Sequence, residues 1–180
     1  MKEEHKVIGG RSNVPTFDVV LISPEIPQNT GNIIRLCANV GACLHLVKPL
    51  GFNLDDPRLR RASLDYSDIA NVVVHESSAQ LFGSRMINRV FAATTNSTVP
   101  YTQPNYQLGD TIILGRESLG LSDDIVENVL PENRVRIPMQ PANRSLNLSN
   151  ATAIIVYEMW RQLQFHGAPS SIDNNKTYFS

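Results

Sequence analysis

Short apolar, β-branched runs alternate with segments of helical period along most of the chain, and this alternation constrains the fold more than any other feature. Residues 17–23 (FDVVLIS) read as a buried strand that Pro24 stops. From Thr30 the apolar residues Ile33, Ile34, Leu36, Cys37 and Val40 recur at helical spacing, with Asn29 or Thr30 as cap and Gly41 as stop. Residues 43–47 and 70–75 predict a second and a third strand around a short arginine-rich helix over 57–64. The pattern continues as a helix over 77–88, strands over 89–94 and 111–114, a helix over 122–129, a short strand over 134–137 and a long helix over 147–165. Parallel neighbours need crossover helices to return the chain, so the sequence predicts an α/β fold with a mostly parallel sheet flanked by helices.

With 180 residues the chain predicts a single domain. Residues 17–168 would form it, between a disordered extension over 1–16 and a disordered polar tail over 169–180. No apolar run approaches the roughly 20 residues that cross a bilayer, so no membrane contact is expected. The polar opening residues carry no apolar signal-peptide core, which makes the cytoplasm the expected compartment. Sixteen basic against seventeen acidic side chains leave a net charge of −1, so any contact with nucleic acid has to be local. Cys37 and Cys43 lack CxxC spacing and read as buried, reduced thiols. His5, His45, His75 and His166 are scattered in isolated roles, and no metal is expected.

In parallel sheets ligands bind beyond the carboxyl ends of strands, and four segments directly follow predicted strands: 24–35 (PEIPQNTGNIIR), Thr94-Thr95, 115–120 (GRESLG) and 138–150 (PMQPANRSLNLSN). The first sets Asn29, Gly31 and Asn32 at a helix start with Arg35 one turn inside, an arrangement suited to an anion such as a phosphate. Plain capping beside a solvated arginine explains the same residues. GRESLG lacks the GK[ST] ending of a triphosphate loop and is no GxGxxG fingerprint; its two glycines permit close backbone approach around Glu117, and an ordinary strand-to-helix turn accounts for it as well. In NRSLNLSN, Asn143, Ser145, Asn147, Ser149 and Asn150 offer more polar groups than one helix start uses, which favours ligand contacts for part of the set. Arg58, Arg60 and Arg61, with Arg35, Arg134, Arg136 and Arg144 near the same edge, form a candidate RNA-binding surface, or a solvated charged face. On the last helix Tyr157 and Trp160 leave room for a subunit contact beside its core-facing residues.

The ordered set PEIPQNTGNIIRLCANVGACLHLVKPLGF, LRRASLDY, LGRESLGL and IPMQPANRSLNLSNA resembles the SPOUT methyltransferases, over about residues 17–168. Among them it is most similar to the minimal SpoU-type branch, the tRNA (cytidine/uridine-2′-O-)methyltransferases. The resemblance implies an α/β knot with a deep C-terminal trefoil, S-adenosyl-L-methionine bound in the knot, and a homodimer with its active site at the subunit interface. It also implies methylation of the ribose 2′-hydroxyl of the wobble nucleotide, cytidine or a carboxymethylaminomethyl-uridine, in leucine tRNAs. Functional positions would fall on Asn29, Arg35, Glu117, Ser145 and Asn147. The cofactor pocket would fall on Ala93, Thr94, Thr95, Leu114, Gly115, Gly120, Ile137, Met139, Ser145 and Leu146, largely through main chain.

A ribose hydroxyl must lose its proton as it attacks, and no histidine, cysteine or lysine stands in the motif loops to take it. Guanidinium groups stay protonated, so Arg35 is expected to grip the RNA phosphate and stabilise charge on the attacking oxygen, while a phosphate oxygen or water accepts the proton. Glu117 and Asn147 would orient Arg35 and the nucleotide. Three alternatives stay open at this point: a 2′-O-methyltransferase for another tRNA or rRNA site, a non-catalytic RNA-binding module that keeps the nucleotide pocket, and a nucleotide-binding enzyme for small molecules.

Overall fold

The computed structural model describes residues 6–8, 15–63, 71–83, 87–141 and 145–169. In chain order the elements are β1 (Lys6–Ile8), β2 (Asp18–Ile22), α1 (Pro27–Val40), β3 (Cys43–Val47), α2 (Pro57–Ser63), β4 (Asn71–His75), α3 (Ser78–Gly83), β5 (Val90–Ala93), β6 (Val99–Pro100), β7 (Thr111–Leu114), α4 (Asp123–Glu127), β8 (Arg134–Arg136) and α5 (Leu148–Gln162). A 3-10 turn over Pro131–Asn133 leads into β8. The strands form one sheet in the order β1-β4-β3-β2-β7-β5-β8-β6. Seven of them are parallel, as the alternation predicts, and β1 alone pairs antiparallel, on β4.

From β2 the chain steps outward to β3 and β4, while β7 and β5 fill the other side. The sheet therefore changes winding direction between β2 and β7, and ligands favour the crevice beyond the strand ends at such a point. One face carries Phe17, Val19, Leu21, Leu44, Leu46, Ile112 and Leu114 against Ile33, Cys37 and Val40 of α1 and Ile155, Val156 and Met159 of α5. The opposite face packs Val20, Ile22, Val47 and Ile113 against Leu81 of α3 and Ile125 of α4. Strands apolar on both sides are the expected signature of a covered parallel sheet. Among the described residues no helix is long and apolar enough to cross a membrane.

Several boundaries differ from the sequence expectation. Helix α1 starts at Pro27 rather than Thr30: proline suits the first helical position, and Asn29 and Thr30 lie buried in the first turn instead of capping it. Gly41 ends α1 in the left-handed conformation, as expected. Helix α3 is described over Ser78–Gly83, residues 84–86 lie outside the described residues, and Ile87 and Asn88 are not helical. Helix α5 ends at Gln162 because Gln164 and Phe165 take positive φ. Within the expected N-terminal extension, Lys6–Ile8 pairs antiparallel with the outer edge of β4. Leu64 and the expected tail from residue 170 onward lie outside the described residues.

A second correction concerns the histidines. His45 and His75 stack with ring centroids 5.1 Å apart, His45 Nδ1 lies 2.9 Å from His75 Nε2, and His45 Nε2 lies 3.1 Å from Asp18 Oδ1. Asp18 is a natural acceptor for His45 Nε2–H, which leaves His45 Nδ1 to accept from His75 Nε2–H. Both thiols are buried; burial, and then Asp18, pushes Cys43 up to about 12, and burial raises Cys37 further.

Two outcomes are expected. A Cβ on Gly31 would meet Ala62 Cβ at 2.4 Å and Leu59 O at 2.9 Å, so α2 approaches α1 over a bare backbone. Gly31→Ala should cost roughly 1–3 kcal/mol in urea unfolding. Neither cysteine should react with a chromogenic disulfide reagent at pH 8 until the protein is unfolded, since thiolate is the reacting form.

Candidate active site

The four loops singled out in the sequence meet along one edge, because β2, β5, β7 and β8 run parallel and all present their C-terminal ends there. They surround a cavity of about 500 Å³, within the size range of small-molecule sites. Its wall includes all ten expected pocket residues: Ala93, Thr94, Thr95, Leu114, Gly115, Gly120, Ile137, Met139, Ser145 and Leu146. Asn29, Glu117 and Asn147 line it as well.

Three of these polar side chains are joined in a line. Glu117 Oε1 accepts from Asn29 Nδ2 at 3.0 Å, and Asn29 Oδ1 accepts from Asn147 Nδ2 at 2.9 Å. Asn147 Oδ1 in turn accepts from Ser149 N at 2.9 Å, Ser149 Oγ at 2.7 Å and Asn150 N at 3.3 Å, capping α5. The direction of every link is determined. A carboxylate only accepts, so Asn29 must turn its NH₂ to Glu117 and its carbonyl to Asn147; the helix N–H groups demand the same orientation from Asn147.

Glu117 also caps α1 from a distance. Helix α1 has no side-chain cap of its own and no acidic residue in its first turn. The Glu117 carboxylate accepts from Glu25 N at 2.8 Å and Ile26 N at 3.2 Å, placing negative charge at the positive end of a 14-residue helix. The loop that carries Glu117 is drawn tight by Arg116 N to Gly120 O at 3.1 Å and Gly120 N to Arg116 O at 2.9 Å. Gly120 has φ +71°, and a Cβ on Gly115 would lie 2.0 Å from the Gly120 carbonyl carbon. Only glycine lets this loop close and present its backbone to the cavity.

Other expected residues are placed differently. Arg35 is half-buried on α1 and does not line the cavity. Arg58 forks onto Asp56 at 3.1 and 2.9 Å, and Arg60 meets Asp55 at 3.2 Å, so these two charges are locally compensated, while Arg61 is exposed. Arg134 donates to Val129 O at 2.9 Å and serves the backbone. Arg144 and Asn143 lie outside the described residues. Arg136, expected near this edge, lines the cavity from the end of β8, whereas sequence reasoning missed Arg116, a second cavity-lining cation two residues after β7. Toward the other ends of β2 and β3, Asp18, Cys43 and His45 bring a carboxylate oxygen, a sulfur and a ring nitrogen within 4.8 Å of one another. That cluster is the one group of metal-ligating type found among the described residues.

A family model described as the SpoU rRNA Methylase family matches residues 16–157. The chain belongs to that family. Among its relatives, a tRNA (cytidine(34)-2′-O)-methyltransferase of Methylovorus glucosotrophus (strain SIP3-4) is 53% identical over 152 residues, covering 84% of this chain and 99% of the relative. A solved structure reported under structural insights into the 2-OH methylation of C/U34 on tRNA superposes with a TM-score of 0.78 at 37% identity, covering 84% of this chain and 99% of that one. The SpoU methyltransferase AviRb from Streptomyces viridochromogenes, in complex with AdoMet, shares the fold with a TM-score of 0.75 at 23% identity, over 85% of this chain and 63% of that one. Membership in the SpoU family makes the protein a methyltransferase, and the cavity is its candidate site.

The directional line makes a pH-dependent prediction. In Asn29→Asp a second carboxylate faces Glu117 at about the present 3.0 Å, so one of the pair must hold a proton in the folded state. A carboxyl pKa raised on folding subtracts stability once pH passes its unfolded value near 4. Relative to the wild type, this variant should lose more stability at pH 8 than at pH 5, read by denaturant unfolding at both.

Proposed function

We propose that the protein transfers a methyl group from S-adenosylmethionine to the ribose 2′-hydroxyl of nucleotide 34 in a tRNA, with cytidine or a modified uridine of leucine tRNAs as the target. The observation that carries this reading is the joining of the three motif loops around one cavity by the Glu117–Asn29–Asn147 line. Likeness over 84% of the chain to a tRNA (cytidine(34)-2′-O)-methyltransferase supports the nucleotide, and action on tRNA supports a cytoplasmic location. The deep trefoil knot belongs to the same proposal; it is supported by β7 lying between β2 and β5 although β5 precedes it in the chain.

The cavity fits the donor. Apolar Leu114, Ile137, Met139 and Leu146 suit an adenine ring, and the Gly115–Gly120 loop offers main-chain groups where a Cβ would collide. When bound, S-adenosylmethionine supplies an electrophilic methyl on a sulfonium sulfur. Ser145 and Asn147 stand on the cavity wall and would orient the ribose hydroxyl toward the donor methyl, which is what an in-line transfer requires. The described cavity wall carries no histidine, cysteine or lysine, and the Glu117 carboxylate is already taken up by the N–H groups of Glu25, Ile26 and Asn29, so the proton passes to a phosphate oxygen or water.

Arg35 grips the RNA phosphate and stabilises the developing oxyanion. Because Arg35 is off the cavity wall of its own chain, the reading takes the active molecule as a homodimer in which Arg35 of the partner subunit reaches the cavity mouth. The outer face of α5 supports a dimer: Ile154 and Tyr157 are 36% and 46% exposed, and Tyr157, Trp160 and Phe165 form an edge-to-face aromatic run.

The test is methylation of unmodified leucine tRNA with methyl-labelled donor, followed by mapping of the labelled nucleotide. Label on the 2′-oxygen of nucleotide 34 is expected; label elsewhere redirects the substrate, and RNA binding without label ends the enzymatic reading. Arg35→Lys should lower kcat roughly 100-fold with donor affinity unchanged, because an ammonium cannot fork onto a phosphate.

A further inference from the structure

Glu25 stands outside the cavity wall, yet its carboxylate makes the reciprocal of the contact Glu117 makes. Glu117 accepts from the main chain of Glu25 and Ile26, and Glu25 accepts from Ser118 N at 3.0 Å and Ser118 Oγ at 2.8 Å. Each loop thus holds the main chain of the other with a carboxylate. Ser118 and Leu119 form part of the cavity wall, and Leu119 is 76% exposed, so packing of its side chain does little to fix the tip of that loop. Glu25, by contrast, is backed by main chain: Gly51 N donates to Pro24 O at 2.9 Å, and a Cβ on Gly51 would lie 2.6 Å from Glu25 Cα. Fixed on that side, Glu25 is the firm end of the pair and the Ser118 tip is the end that it holds.

We propose that Glu25 is a positioning residue for the methyl-donor cavity, holding the Ser118–Leu119 wall in the closed form that the donor meets. The inference rests on the reading of this cavity as the donor site. Two acceptor oxygens are needed, one for the Ser118 main chain and one for its hydroxyl, and only an ionised carboxylate on a side chain of this length offers both. Without them the Ser118 N–H returns to water and the tip loses its hold, so the donor must close the wall at its own expense on binding. Glu25 does not line the cavity, which makes the effect one on donor affinity and not on the methyl-transfer step.

The experiment compares wild type, Glu25→Ala, Glu25→Gln, Ser118→Ala and the Glu25→Ala/Ser118→Ala double variant. Donor and demethylated product are titrated by calorimetry, and tRNA methylation is followed at varied donor concentration. Glu25→Ala should raise the donor Kd and KM about tenfold while kcat at saturating donor stays within about twofold. Glu25→Gln, which keeps one acceptor oxygen, should fall between. Ser118→Ala should cost less than Glu25→Ala, and the double variant should be no worse than Glu25→Ala because the two residues act through one contact. A merely structural role would instead lower the melting temperature and kcat together and leave KM unchanged; that result, or additive losses in the double variant, overturns the proposal. If Glu25→Ala does not fold, Ser118→Ala and Glu25→Gln decide by the same KM shift. A wild type that neither binds donor nor methylates RNA sinks the functional reading itself, whereas a wild type that does both beside unchanged variants sinks only the role of Glu25.

Discussion

The site depends on the acceptor-only character of one carboxylate. Glu117 can be satisfied only by N–H groups, and that single requirement runs through the amide of Asn29 to the amide of Asn147 and into the first turn of α5. Three loops separated by about ninety and thirty residues along the chain are thereby set to one another at hydrogen-bond distances. A ligand meeting this wall finds the amides already oriented, so less ordering is left for binding to accomplish.

The parallel sheet supplies what the line needs. Loops after β2, β7 and β8 emerge on one edge because their strands run the same way, and β7 beside β2 brings the loops of Glu25 and Glu117 next to each other. Close approach then requires absent side chains. Gly115 against Gly120 and Gly31 against α2 are both points where a single Cβ would meet neighbouring atoms well inside contact distance. One controls how tightly the cavity wall folds, the other how deeply the first helix sits.

Much of the fold was legible in the sequence because period and punctuation are local signals: β2, β3, β7 and the body of α1 and α5 lie where β-branched runs, apolar spacing, Gly41 and Asn147 indicate. What was illegible is non-local. Asn29 looks like a cap from its neighbours, but the cap of α1 is a carboxylate 92 residues away, and Asn29 is thereby released to bridge two other motifs. The isolated reading of His45 and His75 failed for the same reason, since 30 residues separate two rings that the sheet brings into contact. The two-residue β6 is too short to show a period. Of the expected site residues, all ten for the cofactor and Asn29, Glu117, Ser145 and Asn147 share the cavity; Arg35, further along α1, does not.

The buried line from Asp18 through His45 to His75 has a consequence for that edge. Strands apolar on both faces can slide past one another at little cost, because each side chain moved leaves another much like it in its place. A polar peg on each of three adjacent strands removes that freedom: a one-residue slip of β3 would swing His45 into the aliphatic layer beneath α1 and strand the Asp18 carboxylate without a donor. The imidazoles thus act as dowels, and they keep β2, whose following loop meets Glu117, level with the strands beside it.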